Sequence, residues 1–125
     1  DTVDGLVEAR IRNARLLDEG LKGLEAHIRP PQRLAGYLEV YQLYLVSATR
    51  RDDLVKFLIG CGVEAKVHYP IPVHLQNAAR ELGYKRGDFP VCERQADEIV
   101  TLPAHQHISE SQIAFVVSSI REFYA

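Results

Sequence analysis

The residues best suited to chemistry sit together in Glu64-Ala-Lys-Val-His-Tyr-Pro-Ile-Pro-Val-His-Leu-Gln76. His68, Tyr69, His74 and Gln76 are interleaved there with Pro70 and Pro72. Proline fixes its own φ near about −65° and pushes the preceding residue toward extended backbone, so Tyr69 and Ile71 are both restrained. A stiff loop of this kind is where binding groups are commonly mounted on a scaffold. Tyr69 offers an amphipathic ring with a hydroxyl, which suits contact with a polar organic ligand. His68 and Tyr69 are therefore expected to touch a ligand by hydrogen bonding, yet the loop holds no complete catalytic set.

Other chemistries are poorly served. His68, His74, His105 and His107 fall at His-x5-His and His-x-His spacing. Neither is the i, i+4 helical pair of a zinc protease, and no acid stands at a clear distance. Loop histidines bonded to backbone groups are the simpler reading. Cys61 lies in Gly-Cys-Gly at a helix end, and Cys92 in the first turn of another helix. A first-turn thiol can be acidified, but Ala, Gly or Ser would serve there equally well. Two cysteines give neither a disulfide framework nor a metal set, and they suit a reducing, cytoplasmic setting. No glycine-rich phosphate loop follows a strand; Gly83-Tyr-Lys-Arg-Gly-Asp88 reads as a turn between helices.

The totals narrow the partners. A net charge of −2 argues against a nucleic-acid surface. Arg10, Arg12 and Arg15 alternate with Glu8, Asp18 and Glu19, the pattern of a solvated helix face. No apolar run approaches the roughly 20 residues of a membrane span, and no signal-peptide pattern opens the chain. A hydrophobic share of 46% over 125 residues suits one globular domain. The chain has no methionine and opens partway into a helical pattern, as a piece of a longer protein would.

The elements that must position the loop follow from periodicity. Val3, Val7, Ala14, Leu17, Leu21 and Leu24 form the stripe of an amphipathic helix over about the first two dozen residues. Gly20 and Gly23 weaken it, and Pro30-Pro31 opens a loop. Val40 to Val46 is apolar on both faces and predicts a buried strand. A helix starts at Asp52 or Asp53 and ends at Gly60 or Gly62. Val63 to Val67 predicts a second strand, completing a β-α-β unit. Leu75 to Leu82 predicts one or two helical turns closed by Gly83. Asp88 is the expected N-cap of a helix from Phe89 to Glu98, with Pro90 tolerated in its first turn. Ile99 to Leu102 predicts a strand. Ser109-Glu-Ser-Gln112 is a capping box before a final helix through Ile113, Val116, Val117, Ile120 and Tyr124. The pattern is an α+β (α/β two-layer) fold.

Four segments carry a resemblance: Tyr41-Gln-Leu-Tyr44, Val67-His-Tyr-Pro-Ile-Pro-Val-His-Leu-Gln76, Leu82-Gly-Tyr-Lys-Arg-Gly-Asp-Phe-Pro-Val91 and Thr101-Leu-Pro-Ala-His105. In this order they are similar to the C-terminal region of the DegT/DnrJ/StrS family of pyridoxal-phosphate-dependent sugar aminotransferases. Gln42 stands where that family commonly has His, and Ala104 where it has Met. The resemblance implies the small C-terminal domain of an aspartate-aminotransferase-like enzyme, a fold type I PLP protein, with a short, mostly antiparallel sheet covered by helices. Residues 1–29 would be a connecting helix and residues 30–125 the domain. It implies amino transfer from a donor such as glutamate to a keto sugar, often nucleotide-linked, in a homodimer. His68 and Tyr69 would contact that substrate, with His74 and Gln76 as further substrate-side residues. The Schiff-base lysine and the rest of the cofactor seat would lie outside this chain, so the chain alone is expected to be inactive. Two other readings stand beside this one: a non-catalytic regulatory or sensor member of the family, and a free-standing small-molecule-binding module.

Overall fold

The computed structural model describes residues 2–125. Helix α1 spans Val3–Gly20, with the Thr2 hydroxyl accepting the Gly5 amide 3.3 Å away at its start. Its stripe buries Ala14 and Leu17, and Leu21 follows just past its end. A short strand β1, Ile28–Arg29, precedes β2, Tyr44–Ala48. Helix α2 covers Arg51–Gly60, and two 3₁₀ segments follow at Val73–Leu75 and Asn77–Leu82. Helix α3, Pro90–Glu98, runs directly into β3, Ile99–Leu102, and α4, Glu110–Tyr124, closes the chain.

The three strands form an antiparallel sheet in the order β1-β2-β3. In β2 the side chains alternate, with Tyr44, Val46 and Ala48 turned into the core. Against that face pack Leu54 and Leu58 of α2, Ile113, Val116 and Ile120 of α4, and the α1 stripe, all in one apolar cluster. Helix α4 is held at its start by the capping box: Ser109 Oγ accepts the Gln112 amide and Gln112 Oε1 accepts the Ser109 amide. Where α1 meets α4, Gly20 lies so close to Val117 that only a hydrogen fits at its α-carbon. The Arg51 guanidinium reaches across to the carbonyls of Ala96 and Ile99, a cation at the end of α3. Among the described residues, no helix is long and apolar enough to cross a membrane.

Several sequence expectations are corrected. The Val40–Val46 strand begins only at Tyr44, because Tyr41 takes a left-handed φ of 48° and breaks the extended run. Val63–Val67 is not a strand. The Ala65 amide turns back to the Val63 carbonyl, leaving one antiparallel pair, Lys66 with Thr101, on the outer edge of β3. That segment runs parallel to β2, but β3 lies between them, so no β-α-β strand pair forms. Helix α2 starts at Arg51, with Asp52 and Asp53 inside its first turn. The two turns before Gly83 are 3₁₀ rather than α, and Gly83 closes them at φ 75°. Asp88 does not cap α3. Its carboxylate accepts the Lys85 amide to close a turn, and Glu93, a turn inside the helix, does the capping.

Candidate functional site

The structure opens a groove of about 190 Å³ where the outer edge of β3, the start of β2 and helix α1 converge. His68 reaches it from the segment beside β3, and its Nδ1 lies 2.6 Å from the Thr101 hydroxyl. Thr101 is itself fixed, exchanging two backbone hydrogen bonds with Lys66. The His68 ring is thus held through Nδ1, leaving Nε2 for another partner. At the rim Lys66 is paired with Glu64, and this contact holds the Glu64 carboxyl below its ordinary range.

The opposite wall comes from far away in the sequence. Arg10 Nη1 donates to the carbonyls of Tyr41, at 3.0 Å, and Gln42, at 3.1 Å, while its Nε donates to Gln106 Oε1 at 3.0 Å. One guanidinium therefore fastens α1, the bend at Tyr41 and the loop after β3. A left-handed tyrosine costs on the order of 1–2 kcal/mol, and contacts of this kind let it persist. Arg10 is accordingly no part of a solvated face, as its sequence neighbours suggested. It falls four and seven residues before Ala14 and Leu17, on the buried stripe, and that spacing was the available signal. Behind this wall the Tyr44 hydroxyl donates to Asp18 at 2.7 Å. Burial, then this bond, pushes its titration well above the ordinary range, so it stays protonated.

The four residues singled out from sequence do not converge. His68 lines the groove. Tyr69, next along, is 81% exposed at φ 60°. Pro70 disfavours an α-like conformation in the residue before it, so the loop sets Tyr69 against its local preference. His74 is buried elsewhere, with Nε2 3.0 Å from Glu93 Oε1 and its ring 4.7 Å from that of Phe89. Gln76 folds back to donate to the Ile71 carbonyl at 3.2 Å. Both therefore fix the loop, from positions outside the groove lining. The histidines are likewise dispersed, and the described residues hold no group of three His, Cys, Asp or Glu side chains able to seat a metal. Lys22, Lys56, Lys66 and Lys85 are all exposed, Lys22 and Lys66 in surface ion pairs. None has the sheltered setting in which a lysine amine would hold an aldehyde cofactor, so this chain's own residues do not fit that group.

Glu93 itself escaped the sequence reading. Burial opposes its ionisation, but the amides of Gly87 and Phe89 together with His74 outweigh this and hold its carboxyl below the usual 4.5. A depressed carboxylate stabilises the fold above its unfolded value, and the stabilisation is lost as pH falls through the folded one. The Gly87 amide is therefore expected to lose exchange protection as pH falls through and below the ordinary carboxylate range, when normalised for intrinsic exchange. Equal protection across that range would contradict the assignment.

A family model described as the DegT/DnrJ/EryC1/StrS aminotransferase family matches residues 1–121. A Geobacillus stearothermophilus protein named pleiotropic regulatory protein is 36% identical over 98% of this chain and 33% of its own length. A dTDP-3-amino-3,4,6-trideoxy-alpha-D-glucose transaminase of Micromonospora megalomicea subsp. nigra is 32% identical over 96% of this chain and 33% of its own length. The crystal structure of S. venezuelae DesV in complex with a ketimine intermediate superposes with a TM-score of 0.91 at 31% identity, covering 96% of this chain and 32% of that one. The chain spans about a third of the length of the proteins it matches.

Proposed function

The chain belongs to the DegT/DnrJ/EryC1/StrS aminotransferase family, and from that premise we propose that it forms the C-terminal third of a sugar aminotransferase, supplying one wall of the substrate pocket. The amino donor is an amino acid such as glutamate and the acceptor a keto sugar, carried on a nucleotide as in the transaminases it is similar to. Helix α1 leads into this domain from the larger part of a cytoplasmic homodimer while packing in the domain's own core, and Ile28–Arg29 supplies a strand of its sheet. Pyridoxal phosphate, bound outside this chain, would supply the electron sink for amino transfer. The chain alone is inactive in this reading.

The observation that carries the proposal is the pairing of His68, anchored at Nδ1 by Thr101, with Tyr69, presented outward from the proline loop. His68 Nε2 and the Tyr69 hydroxyl would bind and orient sugar hydroxyls, with no proton abstraction asked of either. Small-molecule pockets usually enclose roughly 300–1,000 Å³, and a groove of about 190 Å³ suits a site completed by another wall.

The test is the full-length protein loaded with pyridoxal phosphate, given glutamate and a panel of nucleotide-linked keto sugars, with amino-sugar product read by mass spectrometry. Wild type is expected to form product. Tyr69→Phe is expected to lower kcat/KM for the sugar about 3- to 10-fold, the worth of one hydrogen bond, with unchanged thermal stability. An unchanged kcat/KM removes Tyr69 from the site. Cofactor loading with no amino transfer to any sugar would favour the regulatory reading, which the name of the Geobacillus relative also suggests.

A further inference from the structure

Glu93 lies outside the groove lining, yet it joins two loops. Its Oε1 accepts the Gly87 amide at 2.8 Å and the Phe89 amide at 3.3 Å, and lies 3.0 Å from His74 Nε2. Its Oε2 accepts Gly87 again at 2.9 Å. The carboxylate is buried, with Glu93 only 7% exposed and His74 9%. Phe89, seated against the His74 ring, is met edge-on by Tyr84 at 5.1 Å, so His74 is held by packing as well as by charge.

The geometry of the proline loop gives this contact a second meaning. Along the loop Pro72 and His74 point inward while Ile71 and Val73 are exposed. Two pins hold it, His68 on Thr101 at one end and His74 on Glu93 at the other. Between them stand two prolines and Tyr69 at its left-handed φ. Such a conformation persists only where the surroundings over-determine it. A carboxylate serving α3 alone would need the Phe89 amide and nothing from residue 74. We propose that Glu93 is a positioning residue, which through His74 holds the His68-Tyr69-Pro70 turn in the shape that presents Tyr69 to the substrate. This rests on the sugar-pocket reading above.

The test uses the full-length enzyme loaded with pyridoxal phosphate and the variants Glu93→Ala, Glu93→Gln, His74→Ala and the double Glu93→Ala/His74→Ala. Glu93→Ala is expected to raise KM for the keto sugar about 3- to 10-fold, no more than losing the Tyr69 hydroxyl itself costs, with the donor half-reaction unchanged. Amide exchange at Leu75 and Gln76 is expected to quicken alongside. His74→Ala should reproduce both effects, and the double variant should be no worse than Glu93→Ala, because the two act through one contact. Glu93→Gln retains an acceptor and should recover part of the loss. Unchanged loop exchange in Glu93→Ala overturns the proposal, as do faster exchange with an unchanged sugar KM and equal losses in both half-reactions. A wild-type enzyme that aminates no sugar would instead bring down the underlying reading, and it would do so before any substitution is made.

Discussion

Leu17→Ala is expected to destabilise the whole chain by about 2–5 kcal/mol, the usual span for a fully buried leucine cut to alanine. Leu17 has no exposed surface, and it sits in the same cluster as Tyr44, Leu58 and Ile120. Removing its terminal carbons withdraws apolar area and leaves a cavity that three packed elements cannot easily close. The measurement is urea unfolding of the chain, followed by circular dichroism and tyrosine fluorescence together. A helix that served only as a connector would leave the midpoint in place, with a small loss of helical signal. A helix seated in the core moves both probes to one lower midpoint. An unmoved midpoint would show that α1 is not packed as described.

Gly20→Ala is expected to cost about 1–3 kcal/mol, although alanine is ordinarily the better helix residue by up to about 1 kcal/mol. The reason is space: a β-carbon at Gly20 would lie 2.5 Å and 2.9 Å from the two methyls of Val117. A β-branched side chain on a helix has little rotamer freedom with which to withdraw. Either α1 and α4 part slightly or Val117 leaves its rotamer. Separation would also strain the contacts from Arg121 to the carbonyls of Gly20 and Lys22, which hold the end of α1. Adding Val117→Ala to the alanine variant should recover most of the loss, giving a favourable coupling in a double-mutant cycle. Additive losses would place the two residues out of contact.

These residues also show what periodicity could and could not reveal. The capping box at Ser109 and the inner part of the first stripe, Ala14, Leu17 and Leu21, are local patterns that the structure matches, although Val3 is exposed and the helix stops at Gly20, short of Leu24. Ile99–Leu102 is likewise a strand. Gly20 looked like a weak interruption, because nothing local to it mentions Val117, nearly a hundred residues later. The same blindness explains the strand drawn too long at Val40: apolar composition was read correctly, but the carbonyls of Tyr41 and Gln42 are taken by Arg10 instead of a neighbouring strand. β1, two residues long, is too short to carry a pattern at all.

The candidate site divides along the same line. His68 and Tyr69 stood out because two prolines mark their loop as stiff, a signal contained within a few residues. Arg10 did not, and Gln42 and Thr101 were marked only as parts of the resemblance, since only the fold brings the three to one groove. Glu93 was hidden for another reason. A charged residue on the inward face of a helix looks like a break in amphipathicity until its three partners are known. Polar residues that interrupt an apolar stripe, as Arg10 and Glu93 do, are the positions a sequence reading should question first.

The in-and-out alternation of the proline loop bears on how such a protein diversifies. Pro72 and His74 are committed inward, so changes there disturb the loop's shape. Tyr69, Ile71 and Val73 face out, with the left-handed φ at Tyr69 restricting what can replace it. The loop thus behaves as an interchangeable cassette, in which drift at alternate positions rewrites the surface offered to a ligand while the frame is inherited intact. Selection could tune recognition there in single steps, without first securing compensating changes in the core.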